Sequence, residues 1–263
     1  MLLLQSQEQL LIFQKSYLDV FNSTVLENRI GLFKPVKKYT TFNNYPYLFE
    51  NKYGYVQTNF ILNQQHKDIL ECIFMVGEKF NVTVNGCETG DVVILFTEYE
   101  ILKMLGLSVT NYAWLHKKLN EIINTNITIK PNKGDCYTFR IGVNSKYIKT
   151  KRKYCFVVSK EYLNFFNNSL KIDYRRYVKD IVSIKEPQVR AIIRYLITFE
   201  NLNIHLDKLT KDIYGQIQRS LFYDIVKILN NSKDILKSFN ITFNSKTKLI
   251  TKRKIDGVFF KNK

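Results

Sequence analysis

The chain has little of several residue types that mark particular protein classes. Its 263 residues include four cysteines, four prolines, three histidines and one tryptophan. The cysteines are scattered and lack the close pairing that a zinc site requires. They stand at Cys72, Cys87, Cys136 and Cys155. We therefore expect reduced, half-buried thiols in a cytoplasmic protein.

Long apolar runs are also missing. None approaches the ~18 residues that span a bilayer, so no membrane partner is expected. The opening residues, MLLLQSQEQLLIF, have no basic region ahead of the leucines and turn polar at Gln5. A signal peptide is therefore not expected.

Signatures of catalysis are absent from the sequence. His66, His116 and His205 are far apart and form no HExxH or H-x-H pattern, and no GxxxxGK[ST] loop occurs. The carboxylates Glu98 and Glu100 are explained by helix capping. We expect a protein without metal or cofactor that is not an enzyme. A DNA-processing recombinase or nickase remains the alternative from another functional class.

What the chain does have is positive charge, +17 at pH 7 with a pI near 9.6. Lysine, asparagine and isoleucine are all abundant, as AT-rich codons would produce. Codon bias, however, would spread lysine evenly along the chain. Residues 146–190 carry 12 Lys and Arg against four Asp and Glu, and residues 200–263 carry 13 against six. The clustering favours a polyanionic partner, with nucleic acid as the first candidate.

The order of predicted elements forms a repeating pattern. Apolar spacing predicts a helix over the first ~25 residues, followed by an aromatic stretch that is an arm or a short sheet edge. A helix over NQQHKDILECIFMVGEKF, residues 63 to 80, and the strand VVILF come next. Thr97 and Glu100 form a capping box for another helix, which stops at Gly106. A further helix at 110–124 leads into a β-hairpin, NITIK and CYTFRIGV, joined by PNKGD.

The same order then returns about 95 residues later. A strand and a short helix, YCFVVSKEYLNFF, lead to a helix with Pro187 in its first turn. A second helix ends at Gly215, a third spans 216–231, and FNITFNSKTKLITKRK forms a closing hairpin. Helix, helix, turn, helix, hairpin is the order of a winged helix. We expect an α+β, mainly helical chain of tandem winged-helix domains with β-hairpin wings. The expected boundaries are 1–60 for an N-terminal helix and arm, 61–158 for the first domain and 159–263 for the second.

The third helix of each repeat is a candidate recognition helix. In the first, Trp114 is interpreted as a packing residue, and the predicted DNA contacts are Thr110, Asn111, Lys117 and Lys118. The second helix offers Arg and Gln, which read guanine and adenine edges in bidentate fashion. Its predicted contacts are Gln216, Arg219, Ser220, Tyr223 and Lys227.

Two basic clusters stand beside these helices. A lone charge run is usually a solvated loop, but two runs beside predicted helix-turn-helix units indicate phosphate contacts. The first, KYIKTKRK, supplies Lys149, Lys151, Arg152 and Lys153. The second, NSKTKLITKRK, supplies Lys246, Lys248, Lys252, Arg253 and Lys254.

The arrangement resembles the TrfA-like and RepE-type plasmid replication initiators, which are built from two winged helices. The resemblance covers roughly residues 28 to 254. It rests on NRIGLFKP, HKDILECIF, FTEYEILKMLGLS, KTKRKYCFVVSKEYLNFF and IDYRRYVKDIVSIKEPQVRAIIRYL. The resemblance implies DNA reading by the helices at 110–124 and 216–231, with phosphate contacts from the basic turns.

The resemblance also implies a function. A member would bind repeated double-stranded DNA sites at a plasmid origin and help to open it, together with a host initiator and the replicative helicase. Control by conversion between monomer and homodimer is implied as well. The alternative is a winged-helix transcriptional regulator, which would bind one operator and support no replication.

Overall fold

The computed structural model describes residues 2–6, 9–15, 23–36, 47–84, 87–215 and 217–261. The N-terminal half contains β1 (Leu2–Ser6), β2 (Gln9–Lys15), β3 (Ser23–Thr24), α1 (Val25–Arg29), β4 (Tyr47–Asn51), β5 (Gly54–Thr58), α2 (Gln64–Val76), β6 (Glu78–Val84), β7 (Cys87–Phe96), α3 (Glu98–Met104), α4 (Tyr112–Ile123), β8 (Ile127–Pro131), β9 (Tyr137–Phe139), β10 (Gly142–Ile148) and β11 (Lys153–Val158). The C-terminal half contains α5 (Lys160–Asn168), β12 (Lys171–Asp173), α6 (Arg175–Ser183), α7 (Pro187–Leu196), β13 (Leu202–His205), α8 (Leu206–Tyr214), α9 (Arg219–Asn231), α10 (Lys233–Ser238), β14 (Ile241–Asn244), β15 (Leu249–Lys252) and β16 (Phe259–Lys261).

The predicted N-terminal helix is wrong for residues 2–6 and 9–15, which form β1 and β2. These strands pair antiparallel with Leu2 opposite Phe13, and β2 continues onto β6 with Leu11 opposite Val84. A short apolar run fits a strand and a helix equally well, and here pairing with β6 decides between them. Residues 16–22 of the predicted helix, like residues 37–46 of the predicted arm, lie outside the described residues. The rest of that arm includes α1 and the hairpin β4–β5.

The largest sheet has six strands in the order β1-β2-β6-β7-β11-β10. The stretch CYTFRIGV, predicted as one strand, contributes instead to two strands, β9 and β10, which belong to different sheets. Residues up to Phe139 pair with β8, whereas the chain from Gly142 onwards pairs with β11. The turn between β10 and β11 carries the first basic cluster, so most of this cluster lies at the end of a hairpin.

From α2 to β9 the chain has the predicted helices in the predicted order, with β6 as an unpredicted strand, and the predicted strand VVILF is the end of β7. Helix α2 buries Ile69 and Ile73, but it ends at Val76 because the chain then extends into β6, which takes up Phe80. The capping box that opens α3 is confirmed, since Thr97 Oγ1 accepts a hydrogen bond from the Glu100 amide at 3.3 Å. The hairpin β8–β9 follows α4 and is extended by β5 and β4, which places β4 at a sheet edge.

The C-terminal half also follows the predicted order. Pro187 occupies the first turn of α7, and α8 ends at Gly215, which has a φ of +81°. The hairpin β14–β15 gains a third strand, β13, which pairs with β15 to give the order β13-β15-β14. Helix α9 follows α8, and the short helix α10, which was not predicted, separates it from the hairpin.

A buried ionic contact joins the two halves. Arg194 of α7 is 2% exposed and donates to Asp68 at 2.7 Å and to Glu71 at 2.6 Å, both on α2. Its other terminal nitrogen donates to Gln64 at 2.6 Å. One hydrophobic core also runs through both halves, from Val25 to Ile255. None of the described helices is both long and apolar enough to cross a membrane.

Candidate nucleic-acid interface

Helix α9 presents a polar face to solvent. It is anchored by Ile225 and Leu229, which are fully buried. Gln218, the residue just before the helix, makes no side-chain cap, so the first amides remain available to an anion. The exposed side carries four of the predicted contacts: Arg219, Ser220, Tyr223 and Lys227. The fifth, Gln216, lies outside the described residues.

A groove of about 640 Å³ runs between α8 and the start of α9. Thr210 and Lys211 line it from α8, and Arg219 and Tyr223 line it from α9. Tyr223 is 59% exposed although it is a large aromatic residue. The groove thus combines cations with an aromatic face next to the predicted recognition helix.

The turn between β14 and β15 projects Lys246 and Lys248. Asn244 shapes the turn, because its Oδ1 accepts hydrogen bonds from the amides of Lys246 at 2.9 Å and Thr247 at 3.2 Å. Lys248 adopts a φ of +57° and donates from Nζ to the carbonyl oxygen of Ser245 at 2.6 Å. Both lysines therefore sit on a defined tip rather than on a loose loop.

Lys252 does not belong to this surface, which corrects the sequence prediction. It is 1% exposed, and its Nζ donates to the carbonyl oxygens of Phe199, Glu200 and Arg253 at 3.1, 3.2 and 2.5 Å. Burial lowers the pKa of Lys252 to about 8. Its ammonium binds carbonyl oxygens just after the end of α7 and cannot reach a phosphate.

Arg253 and Lys254 are exposed, but they lie at the base of the hairpin and not at its tip. The strand β15 that separates them from Lys248 is four residues long, about 13 Å at the rise of a β-strand. The second basic cluster of the sequence is therefore divided into a tip, a buried lysine and a base.

The turn between β10 and β11 exposes Lys149, Lys151 and Arg152. Residues 149–151 form one turn of 3-10 helix, and Arg152 has a φ of +52°. Lys153, predicted with them, donates from Nζ to Glu78 Oε1 of β6 at 2.5 Å. Its charge is thus offset within the sheet, while the three turn residues carry theirs into solvent.

Helix α4 offers a weaker surface. Thr110 and Lys117 are exposed, and Asn111 is half-buried with its side chain donating to the carbonyl oxygen of Ser108 at 3.1 Å. Ser108 in turn caps this segment by accepting from the Thr110 amide. Trp114 is half-buried and packs against the core, in agreement with its interpretation as a packing residue.

Lys118 is a second correction, because it is fully buried. Its Nζ lies 2.7 Å from Glu121 Oε2, and His66 Nε2 lies 2.8 Å from the same oxygen. A lysine in this position balances a buried carboxylate and has no access to DNA. The contact between Glu121 of α4 and His66 in the first turn of α2 joins these two helices.

His66 connects this cluster to a helix cap. Its Nδ1 accepts from the Asn63 amide at 3.0 Å, so the neutral ring carries its proton on Nε2 and donates to Glu121. Burial lowers the pKa of His66, an effect that the adjacent Lys118 reinforces and Glu121 opposes. The ring is therefore held neutral in the folded protein.

Stability should consequently fall as the pH drops below about 6.5, because the unfolded chain then binds a proton that the folded chain does not. For His66→Gln, whose amide can still accept from Asn63 but cannot titrate, we expect this loss to shrink by about 1 kcal/mol at pH 5.5. Urea unfolding at pH 7.5 and 5.5 measures it. An unaltered pH dependence in His66→Gln would contradict a neutral His66.

Among the described residues, no group of three or more His, Cys, Asp and Glu side chains is placed to hold a metal ion. The described residues thus present an exposed helix face with a groove beside it and two cationic turns, whereas Lys118 and Lys252 are buried. What these elements can do chemically is bind phosphates at the turns and base edges on the helix.

No protein-family model matches the chain, and no curated protein matches it. Solved structures do. A crystal structure of domains 2 and 3 of RctB is 11% identical, covers 89% of this chain and 99% of its own, and has a TM-score of 0.59. A second structure of RctB domains 2–3 is 9% identical, covers 88% and 97%, and has a TM-score of 0.47. The chain therefore shares the fold of domains 2 and 3 of RctB.

Proposed function

We propose that this protein is a non-enzymatic replication initiator that binds repeated double-stranded DNA sites at a plasmid origin and helps to open it. The observation that carries the proposal is the exposed face of α9, which presents Arg219, Tyr223 and Lys227. The same half of the chain also has a cationic hairpin tip. RctB, whose fold the chain shares, is a replication initiator. The resemblance to TrfA-like and RepE-type proteins rests on the sequence alone, because the structural matches are to RctB.

The winged-helix interpretation supports duplex binding. In the C-terminal half, α7, β13, α8, α9, β14 and β15 follow the order of a winged helix, with α9 as its recognition helix. The N-terminal half uses α2, α3, α4 and β8–β9 in the same way, but its third strand, β5, precedes the first helix. Two such units on one duplex suit a site of one to two helical turns.

The two halves have unequal roles in this proposal. The face of α4 offers Thr110 and Lys117, whereas that of α9 offers Arg219 and Lys227 with an open groove. Guanidinium groups read guanine in the major groove, so α9 carries most of the sequence specificity. A host initiator, the replicative helicase and a second copy of this chain are the proposed partners in the cytoplasm.

The cationic turns should govern the salt dependence of binding. Changing Lys149 and Lys151 to Gln removes two phosphate contacts, so we expect the slope of log K against log salt to fall by about two. Fluorescence anisotropy of a labelled duplex from the DNA flanking the gene, between low and physiological salt, measures it. The matched control changes Lys103 and Lys185, which are exposed outside the turns, and should leave the slope unaltered.

The biological role is tested separately. A plasmid whose only origin is the DNA flanking the gene should be maintained when the protein is supplied, and lost with a variant of α9 that no longer binds. Binding to one palindrome, without support of replication, would instead identify a transcriptional regulator. Nicked product in the presence of magnesium would identify a DNA-processing enzyme.

A further inference from the structure

Tyr223 is an aromatic side chain on the exposed face of α9, and packing does not account for its position. It is 59% exposed, whereas Ile225 and Leu229 fill the core side of the helix. Its ring meets that of the half-buried Phe222 edge to face, with centroids 6.3 Å apart, and this contact leaves most of the Tyr223 ring in solvent. What the ring can bind therefore depends on the surface around it.

The groove between α8 and α9 has an apolar part as well as cations. Its apolar lining includes Ile217, Phe222 and Tyr223. Ile217 and Phe222 are half-buried and pack against the hydrophobic core, so they form a fixed floor beside the exposed ring. Single exposed apolar side chains are common on protein surfaces, but apolar side chains that line a groove together are typical of a binding site.

Tyr223 also lies in one row with two cations. Arg219 precedes it by four residues and Lys227 follows it by four, and residues four apart are neighbours on a helix surface. One helical turn advances about 5.4 Å, which is between one and two base-pair steps of about 3.4 Å in B-form DNA. With Arg219 on a guanine, Tyr223 therefore meets a base one or two positions away.

The acidic residues near the ring favour a neutral ligand group over a phosphate. Asp224, the residue after Tyr223, is exposed. Asp207 lines the groove from α8, and its carboxylate lies 3.0 Å from Nδ1 of His205, a contact that offsets the charge only when the ring is protonated. Two carboxylates oppose a phosphate beside Tyr223, because like charges repel each other. A base edge is neutral and meets no such opposition.

Thymine is the base whose edge in the major groove carries an apolar group. Its 5-methyl group projects into the groove, where apolar side chains contact it. The ring of Tyr223, with Ile217 and Phe222 beside it, supplies the apolar surface that removes such a methyl group from water. The chemistry of this part of α9 therefore fits thymine better than the other three bases.

We propose that Tyr223 contacts the 5-methyl group of a thymine that lies one or two base pairs from the guanine read by Arg219. This inference rests on the proposed function, because it needs α9 to lie in a major groove. It deepens that function by naming the base beside the guanine. Tyr223 is then a specificity-determining residue, and the recognised repeat carries guanine and thymine within three successive base pairs.

The test compares two versions of one duplex from the DNA flanking the gene, made with thymidine or with deoxyuridine, which differ only in the 5-methyl groups. For the full chain we expect deoxyuridine to weaken binding about fourfold, the effect of burying one methyl group. Tyr223→Ala should reduce this preference by the same factor. Tyr223→Phe should keep it, because the ring makes the contact. Competition titrations at one fixed salt concentration measure both affinities.

Tyr99→Ala is the matched control, since Tyr99 is a tyrosine of similar exposure, 50%, on α3. It should keep the preference for thymidine. Deoxyuridine placed at one thymine at a time then locates the methyl group that Tyr223 contacts. We expect it within two base pairs of the guanine for which Arg219→Ala loses its preference.

Two results overturn the inference. One is a wild type without preference for thymidine, or a preference that persists unchanged in Tyr223→Ala. The other is loss of the preference in Tyr223→Phe, which would assign the contact to the hydroxyl group. Melting temperatures close to that of the wild type show that the variants are folded.

The same titrations separate this inference from the proposed function. Duplex binding with equal affinity for both versions removes the inference and leaves the proposed function. Failure of the wild type to bind either version removes the proposed function, and the inference with it.

Discussion

Arg194→Leu is expected to lower the free energy of unfolding by about 3–5 kcal/mol, more than any other single change discussed for this chain. The substitution removes the one guanidinium that contacts both Asp68 and Glu71, which are buried at 2% and 0% exposure. Arg190 still contacts Asp68 and the Tyr174 hydroxyl still donates to Glu71, but neither group bridges the two carboxylates. Gln64 loses its donor as well. Unfolding in urea, followed by circular dichroism, measures the change.

The loss arises from desolvated charge and not from packing, because leucine fills part of the same volume. A cycle with Glu71→Gln tests this directly. In that background one of the buried carboxylates is already neutral, so Arg194→Leu should cost clearly less than in the wild type. Equal costs in both backgrounds would show that the contact between Arg194 and Glu71 contributes little.

Arg175→Leu provides the matched control. Arg175 also makes a bidentate contact, with Asp173, but 46% of its side chain is exposed. Exposed ion pairs contribute about 0–1 kcal/mol because water solvates both partners once the pair is broken. A similar loss in both variants would mean that the Arg194 network is no more buried in solution than a surface pair.

The sequence predicted those features that depend on nearby residues. Thr97 and Glu100 are three residues apart, and a capping box needs nothing else. Pro187 and Gly215 likewise mark the ends of helices through their own backbone preferences. The order of helices and hairpins in both halves follows from such local signals together with apolar periodicity.

Features that depend on distant partners were missed or wrong. Strands β1 and β2 form because β2 pairs with β6, about 70 residues away in the sequence. The sequence predicts Lys118 and Lys252 as surface cations, because nearby lysines show the sign and number of charges but not whether a side chain is buried. The spacing of Lys118 and Glu121, one turn of helix apart, was a usable signal for an internal pair. Arg194, among Ile192, Ile193 and Leu196, was another.

The part of the candidate interface that depends on local periodicity was predicted. Exposure of Arg219, Tyr223 and Lys227 follows from the helical period of α9, whose buried side needs Ile225 and Leu229.

Base reading by α9 gives the second large expected effect. Changing Arg219 and Lys227 to Ala should weaken binding to a cognate origin repeat by about 1–3 kcal/mol more than binding to random duplex. Arg219 can contact a guanine through two hydrogen bonds, whereas random sequence retains only the contribution of charge to phosphates. Competition titrations with repeat and random duplexes, at one fixed salt concentration, measure the ratio.

The control for α9 removes the same charge from another exposed helix position, by changing Arg176 and Lys179 of α6 to Ala. Both variants lose two cations, so both should weaken binding to random duplex through the electrostatic contribution. Only the α9 variant should reduce the preference for the repeat. If the α9 variant loses affinity equally for repeat and random duplex, α9 contacts phosphates alone. The reading of bases must then be sought at Lys117 of α4 and at Thr110, which lies in the turn before that helix; both are exposed.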